Sequence, residues 1–162
     1  VDNENVEAEE IEEENEVSGL QGILQELQKK YPDLEINEQL TVIVPTKDLL
    51  QLIQDLKDNY GFNYLTNITA ADYLDQGKFE IIYNINSIGG SYDVMLKTAI
   101  DRNKPVVPSI TSIWGSANWQ EREVYDMFGI VFTGHPNLKR ILLYDSFEGH
   151  PLRKDYVSVG GR

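Results

Sequence analysis

The 162-residue chain contains no cysteine. That absence excludes thiolate-held iron-sulfur clusters, Cys-type zinc sites, disulfides and thiol catalysis, so any redox centre would have to belong to another chain. Histidine is scarce, with only His135 and His150. A metal site would have to combine both with carboxylates such as Asp145 or Asp155, and no ligand spacing supports it. No stretch reaches the roughly eighteen consecutive apolar residues that cross a bilayer, and no basic start followed by a short apolar run marks a signal peptide. The sequence therefore predicts a soluble, intracellular chain without a membrane span, in which Asn67-Ile68-Thr69 is a chance glycosylation match. HExxH, the P-loop and the GxGxxG fingerprint are also missing.

Bases are missing from residues 1–16, which hold nine acids, and this leaves 18 acids against 14 bases in the remainder of a chain whose formal net charge is −13. The body is nearly balanced. The segment VDNENVEAEEIEEENEVS repels itself and has four large apolar residues, too few to repay the entropy of ordering. Residues 1–17 are expected to be a disordered acidic tail that binds no nucleic acid, and residues 18–162 a single domain, long enough to bury roughly 70% of its unfolded surface.

Apolar spacing organises the body. Leu20, Ile23, Leu24, Leu27 and Tyr31 recur at helical spacing until Pro32 stops them. TVIV (41–44) reads as a strand ending at Pro45. Thr46 is placed to cap a helix whose stripe is Leu49, Leu52, Ile53, Leu56 and Tyr60, closed by Gly61. Residues 62–68, 78–85 and 92–100 read as strands, with Gly89 and Gly90 making the hairpin turn. Helices segregated from a run of strands mean α+β: two layers, a mixed and mostly antiparallel sheet with helices packed on one face, and a loop-rich C-terminal docking segment.

After Ile100 prolines and glycines punctuate the chain, and both tryptophans and both histidines gather there, which favours a recognition surface. ANWQEREVYDMFG (117–129) forms a three-turn helix with Asn118 as N-cap and Gly129 past its end. Val124, Met127 and Phe128 lie on one side, flanked by Glu121 and Tyr125; Trp119, Arg122, Glu123 and Asp126 lie on the other. Arg122 and Asp126 can pair, but an exposed pair of this kind contributes only ~0.3 kcal/mol. Trp and Arg beside carboxylates resemble the anchors of a protein interface. A small acid-base hydrolase using Glu123 and Asp126, the only carboxylates sharing a face, is the competing reading.

WQEREVYDMFGIVFTGHPNLKRIL followed by GHPLRKDY closely resembles the signature region of the thirty-kilodalton subunit family of complex I, known as the C-type subunit in the bacterial NADH-quinone oxidoreductase and the J-type subunit in plastid and cyanobacterial enzymes. Glu121-Arg122-Glu123, Asp126, Met127 and Phe128, then His135, Lys139, Ile141 and Leu142 keep the family's spacing. The chain departs from it at Phe147, where Trp is common, and at Val157, where Pro is common. Many relatives continue past the position of Arg162, so a short variant or a trimmed chain is expected.

The resemblance implies a hydrophilic subunit of the peripheral arm that binds no cofactor itself. NADH, FMN, iron-sulfur clusters and quinone belong to the parent complex. Its expected partners are the hydrogenase-like, D-type large subunit and neighbouring iron-sulfur subunits, on the cytoplasmic side of the cell membrane, or the thylakoid stromal or cytoplasmic face in a cyanobacterial-type enzyme. Its contribution would be positional, in a proton-translocating enzyme that passes electrons from NADH to quinone. The equivalent subunit of a ferredoxin-, F420H2- or hydrogenase-linked relative is the alternative. Pro136 and Pro151 restrict each histidine to extended or turn backbone, so the two GHP-basic units read as docking loops. The expected docking set is Trp119, Glu121, Arg122, Glu123, Tyr125, Asp126, Phe128, His135, Lys139, Arg140, His150, Arg153 and Lys154. On this reading Arg122→Ala or Glu123→Ala weakens assembly and leaves the isolated chain folded.

Overall fold

A computed structural model of the chain describes residues 18–89 and 92–158. The expected acidic tail lies outside the described residues, as does Gly90; Gly89 adopts φ 95°, as a tight turn between the second and third long strands requires.

Helix α1 (18–30) leads to β1 (Glu35–Ile36), β2 (Val42–Ile43) and α2 (Leu49–Tyr60). Three ten-residue strands follow: β3 (Tyr64–Tyr73), β4 (Lys78–Ser87) and β5 (Tyr92–Asp101). The rest comprises β6 (Val106–Pro108), α3 (Ala117–Phe128) and β7 (Val131–Thr133), joined by loops. The main sheet has the order β1-β2-β5-β4-β3; all its pairings are antiparallel except β2 with β5, and β6 and β7 form a separate parallel pair. The architecture is the expected α+β one.

The period-2 pattern of β4 explains the layers. Phe79, Ile81, Tyr83 and Ile85 are buried on one face, where they meet Leu24 and Leu27 of α1, Leu52, Ile53 and Leu56 of α2, and Val124 and Phe128 of α3 in one core. Each large side chain so buried contributes roughly 1.5–3 kcal/mol. The other face carries partly exposed groups such as the Lys97–Glu80 ion pair at 3.2 Å.

Both expected side-chain caps are replaced. Asp48, not Thr46, precedes α2, because Asp48 N–H turns back to Pro45 O at 3.0 Å and delays the helix. Thr46 Oγ1 lies instead beside Thr98 Oγ1 of β5 at 3.2 Å. Ser116, not Asn118, precedes α3, because the N–H groups of Ala117 and Asn118 bond to Trp114 O and Gly115 O in a tight lead-in turn.

Candidate functional site: a clamp built on helix α3

Helix α3 directs its polar residues inward. Glu121 and Asp126 are 0% exposed and Arg122 7% exposed. The expected charged outer face therefore divides: Trp119 and Glu123 are exposed, whereas Arg122 and Asp126 are spent on the chain's own loops. They form no pair with each other. The reason is supplied by residues 139–143, which offer carbonyls to one and amides to the other.

Arg122 Nε donates to Lys139 O at 3.1 Å and its Nη2 to Arg140 O at 3.0 Å, while its guanidinium lies over the Trp119 ring at 5.1 Å. Asp126 Oδ2 accepts the N–H groups of Ile141, Leu142 and Leu143 at 3.0, 2.8 and 2.9 Å. Its Oδ1 takes Arg140 Nη1 at 2.7 Å. Burial alone would raise the Asp126 pKa, but the three amides and Arg140 hold it below the ordinary carboxylate value. Arg140 Nη2 continues to Gly149 O at 2.9 Å and links the first GHP loop to the second.

The second loop closes the end of the helix. The last carbonyls of an α-helix lack partners within it. Here Tyr125 O receives Gly129 N–H at 2.8 Å, Asp126 O receives His150 Nδ1 at 3.0 Å, Met127 O receives Leu152 N–H at 3.1 Å, and Phe128 O receives Arg153 Nε at 2.6 Å. A carbonyl can only accept, so His150 carries its proton on Nδ1 in this contact. Burial lowers the His150 pKa, and Arg153 and Arg140 lower it further, against the opposing effect of Asp126 O. Gly129, at φ 72°, leaves room for this packing: a Cβ there would stand 2.5 Å from His150 Nε2.

The first histidine has a similar task. His135 Nε2 donates to Asn118 O and its Nδ1 accepts Asn137 N–H, both at 3.0 Å. Each imidazole thus holds loop backbone. Among the described residues no three or more His, Asp or Glu side chains converge as a metal-binding group. The expected acid-base pair is not formed either, because Glu123 faces solvent while the Asp126 carboxylate is saturated with donors.

Two features were not visible in the sequence. Glu121 accepts Ser109 Oγ–H at 2.6 Å and Ile110 N–H at 2.7 Å, without a cation, and burial pushes its pKa up to about 7. Asp72 at the end of β3 binds Arg102 through Nε at 2.8 Å and Nη2 at 3.1 Å, and accepts Lys154 N–H at 2.8 Å. Arg102 Nη2 also reaches Asp155 at 2.5 Å. Arg102, followed by burial as the opposing effect, holds Asp72 below the ordinary carboxylate value. The partners of Asp72 are separated from it by 30 and 82 residues and those of Glu121 by 11 and 12, and neither side of such a contact carries a local signal.

The clamp leaves a defined exterior. Trp119, Leu142, Tyr144 and Leu152 are 63%, 61%, 67% and 54% exposed, and Glu123, Lys139 and Lys154 are exposed beside them in sequence. Tyr125, His135, Arg140, His150 and Arg153 are half-buried, and Phe128 is in the core.

A family model described as "Respiratory-chain NADH dehydrogenase, 30 Kd subunit" matches residues 42–161, a span that contains the whole clamp. The chain belongs to that family. The C-type subunit of the NADH-quinone oxidoreductase of Moorella thermoacetica is 46% identical over 140 residues, covering 85% of this chain and 95% of the relative. Among solved structures, a trypsin-resistant fragment of Nqo5 is 35% identical with a TM-score of 0.63, covering 74% of this chain and 98% of that one. A chain of the archaeal membrane-bound sulfane sulfur reductase is 27% identical with a TM-score of 0.75, covering 85% of each. This member of the thirty-kilodalton subunit family is a subunit of an NADH-quinone oxidoreductase-type respiratory complex, complex I. The cofactors of such an enzyme belong to the complex. No helix among the described residues is long and apolar enough to cross a membrane.

Proposed function

We propose that this chain is a non-catalytic positioning subunit of the peripheral arm, which docks onto the hydrogenase-like, D-type large subunit beside neighbouring iron-sulfur subunits. The observation that carries this reading is the contrast within the clamp. Charged residues that could do chemistry are consumed internally, while Trp119 of α3 and Leu142, Tyr144 and Leu152 of the loops pinned to it stand exposed. Large apolar and aromatic side chains on a rigid frame are the composition of an interface centre, and Lys139, Lys154 and Glu123 suit its rim.

On this reading the chain binds no cofactor. NADH, FMN, iron-sulfur clusters and quinone are held by other subunits on the cytoplasmic side of the membrane, and the chain's contribution to electron transfer from NADH to quinone is to fix the quinone-site subunit in place. The relationship to the sulfane sulfur reductase chain favours one second reading, the equivalent subunit of a relative fed by ferredoxin, F420H2 or a hydrogenase. Mass spectrometry of everything that co-purifies with the tagged chain from detergent-solubilised native membranes tests both. Recovery of the hydrogenase-like and iron-sulfur subunits is expected, and the accompanying donor subunits identify the electron source. A chain that emerges alone while the complex stays intact overturns the docking reading.

A further inference from the structure

Glu121 carries a buried carboxyl that the clamp does not use. It is 0% exposed, and its partners are the Ser109 hydroxyl, 2.6 Å from Oε2, and Ile110 N–H, 2.7 Å from Oε1. Among the described residues no lysine, arginine or histidine pairs with it. An ionised carboxyl away from water and without a counter-ion is unfavourable, and it takes up a proton in preference. The charged side chains on neighbouring elements are engaged elsewhere: Lys57 Nζ of α2 donates to Ile113 O at 2.7 Å, Asp72 of β3 binds Arg102, and Arg122 and Asp126 of α3 are taken by residues 139–143. Tyr83 of β4 is the titratable group that senses Glu121, and its buried hydroxyl has no partner among the described residues.

The contact with Ser109 does not end there. Ser109 Oγ also lies 2.8 Å from Thr111 Oγ1, and Thr111 N–H reaches it at 3.2 Å. Both oxygen-to-oxygen separations suit an O–H donor. Ser109 is buried, Thr111 half-buried and Ser112 exposed, so Glu121, Ser109 and Thr111 form a line of oxygens running from the interior outward. The backbone around that line is tied down. Ser109 N–H donates to Thr133 O at 2.9 Å, the N–H groups of Ile113 and Trp114 return to Ile110 O at 2.9 and 3.0 Å, and Lys57 holds Ile113 O.

A hydroxyl donates one hydrogen, accepts two, and can turn. With Glu121 ionised, Thr111 donates to Ser109 and Ser109 donates to Glu121 Oε2. With Glu121 neutral, its Oε2–H donates to Ser109 Oγ, Ser109 donates to Thr111, and the Thr111 hydroxyl turns to solvent. Ile110 N–H stays on Oε1 in both arrangements. The two differ by one proton, taken from water at Thr111 and held at Glu121, and no heavy atom has to move. We infer that Glu121 is a reversible proton-binding site of the folded chain, filled from and emptied to solvent through the hydroxyls of Ser109 and Thr111. Burial pushes the Glu121 pKa up to about 7, which brings both arrangements within reach near neutral pH.

NMR of the Glu121 carboxyl carbon in the whole isolated chain tests the site and the route separately. The titration midpoint should lie well above the ordinary 4.5, and relaxation dispersion near the midpoint reads the rate of proton exchange with solvent. Thr111→Val keeps the shape of the side chain and removes the outer hydroxyl. It should slow that exchange by about tenfold or more, with little change in the midpoint, because one hydrogen bond is lost from the path of the charge. Thr111→Ser should restore the rate. Ser109→Ala removes a hydrogen bond to the charged form and should raise the midpoint. A Glu121 that titrates at or below 4.5 overturns the binding site, and an exchange rate in Thr111→Val equal to that of the parent chain overturns the route. Both readouts are internal to the chain, so neither result touches the co-purification that tests the clamp surface.

Discussion

Arg122 and Asp126 grip opposite polarities of one loop: the guanidinium takes the carbonyls of Lys139 and Arg140, and the carboxylate takes the amides of Ile141, Leu142 and Leu143. Five consecutive residues are thereby fixed by two side chains one helical turn apart. The pair works as a template for the loop.

Replacing Asp126 should therefore cost far more than an exposed carboxylate would. Asp126→Ala strands three part-buried amides and leaves Arg140 without its ion partner, and breaking a buried pair from one side costs about 3–5 kcal/mol. Urea denaturation of the isolated chain should show a loss of that size, with the amides of 141–143 exchanging freely. A loss below about 1 kcal/mol would refute the template role.

Arg122→Ala should destabilise the isolated chain as well, by about 2–3 kcal/mol for two hydrogen bonds from a charged donor. This reverses the expectation drawn from the sequence, which places Arg122 on an exposed face. Trp119→Ala and Glu123→Ala, by contrast, should stay within about 0.5 kcal/mol of the parent chain and lower its yield in the assembled complex. Co-purification yields beside denaturation midpoints separate the two classes.

Glu121 gives the fold a pH dependence of unusual sign. Burial raises its folded pKa from 4.5 to about 7, so the folded state binds the proton more tightly than the unfolded chain. The resulting stability is fully present below the unfolded pKa of 4.5 and is lost as pH rises through about 7, at about 1.4 kcal/mol per unit of separation. Glu121→Gln keeps an acceptor for Ile110 N–H and removes the titration. The variant's stability relative to the parent should thus improve between about pH 5 and about pH 8, measured by urea midpoints at each pH. Parallel curves would show that Glu121 does not titrate in this range.

Much of the architecture is legible from periodicity. The stripes of α1 and α2 and the alternation in β4 and β5 place their core residues correctly, because each buries a face in a way that requires no knowledge of the rest of the chain. β3 runs on past Ile68, where the sequence stops signalling a strand because its inward positions hold Ala70 and Asp72 in place of large apolar residues. β1, β6 and β7 are two or three residues long and exist through their partners. The cluster of signature residues is also visible in the sequence, but their direction is not. An amphipathic wheel assumes that charge faces water, and on α3 the loops of 139–143 and 149–153 supply enough complementary backbone to draw charge inward.

Gly129→Ala offers the sharpest check on the second loop. The residue sits at φ 72°, where an L side chain is strained, and its new Cβ would meet the His150 ring at 2.5 Å and Arg153 Nη2 at 2.9 Å. The left-handed conformation alone costs about 1–2 kcal/mol, and His150 must withdraw from Asp126 O as well. Because His150, Leu152 and Arg153 satisfy three successive carbonyls, displacing one ring should loosen all three contacts together. The Leu152 amide, bonded to Met127 O at 3.1 Å, should then exchange faster than the global stability loss explains, while the amides of 141–143 keep their relative protection. Uniform acceleration of both sets would mean that the two loops respond as one unit and that Gly129 governs the stability of the whole clamp.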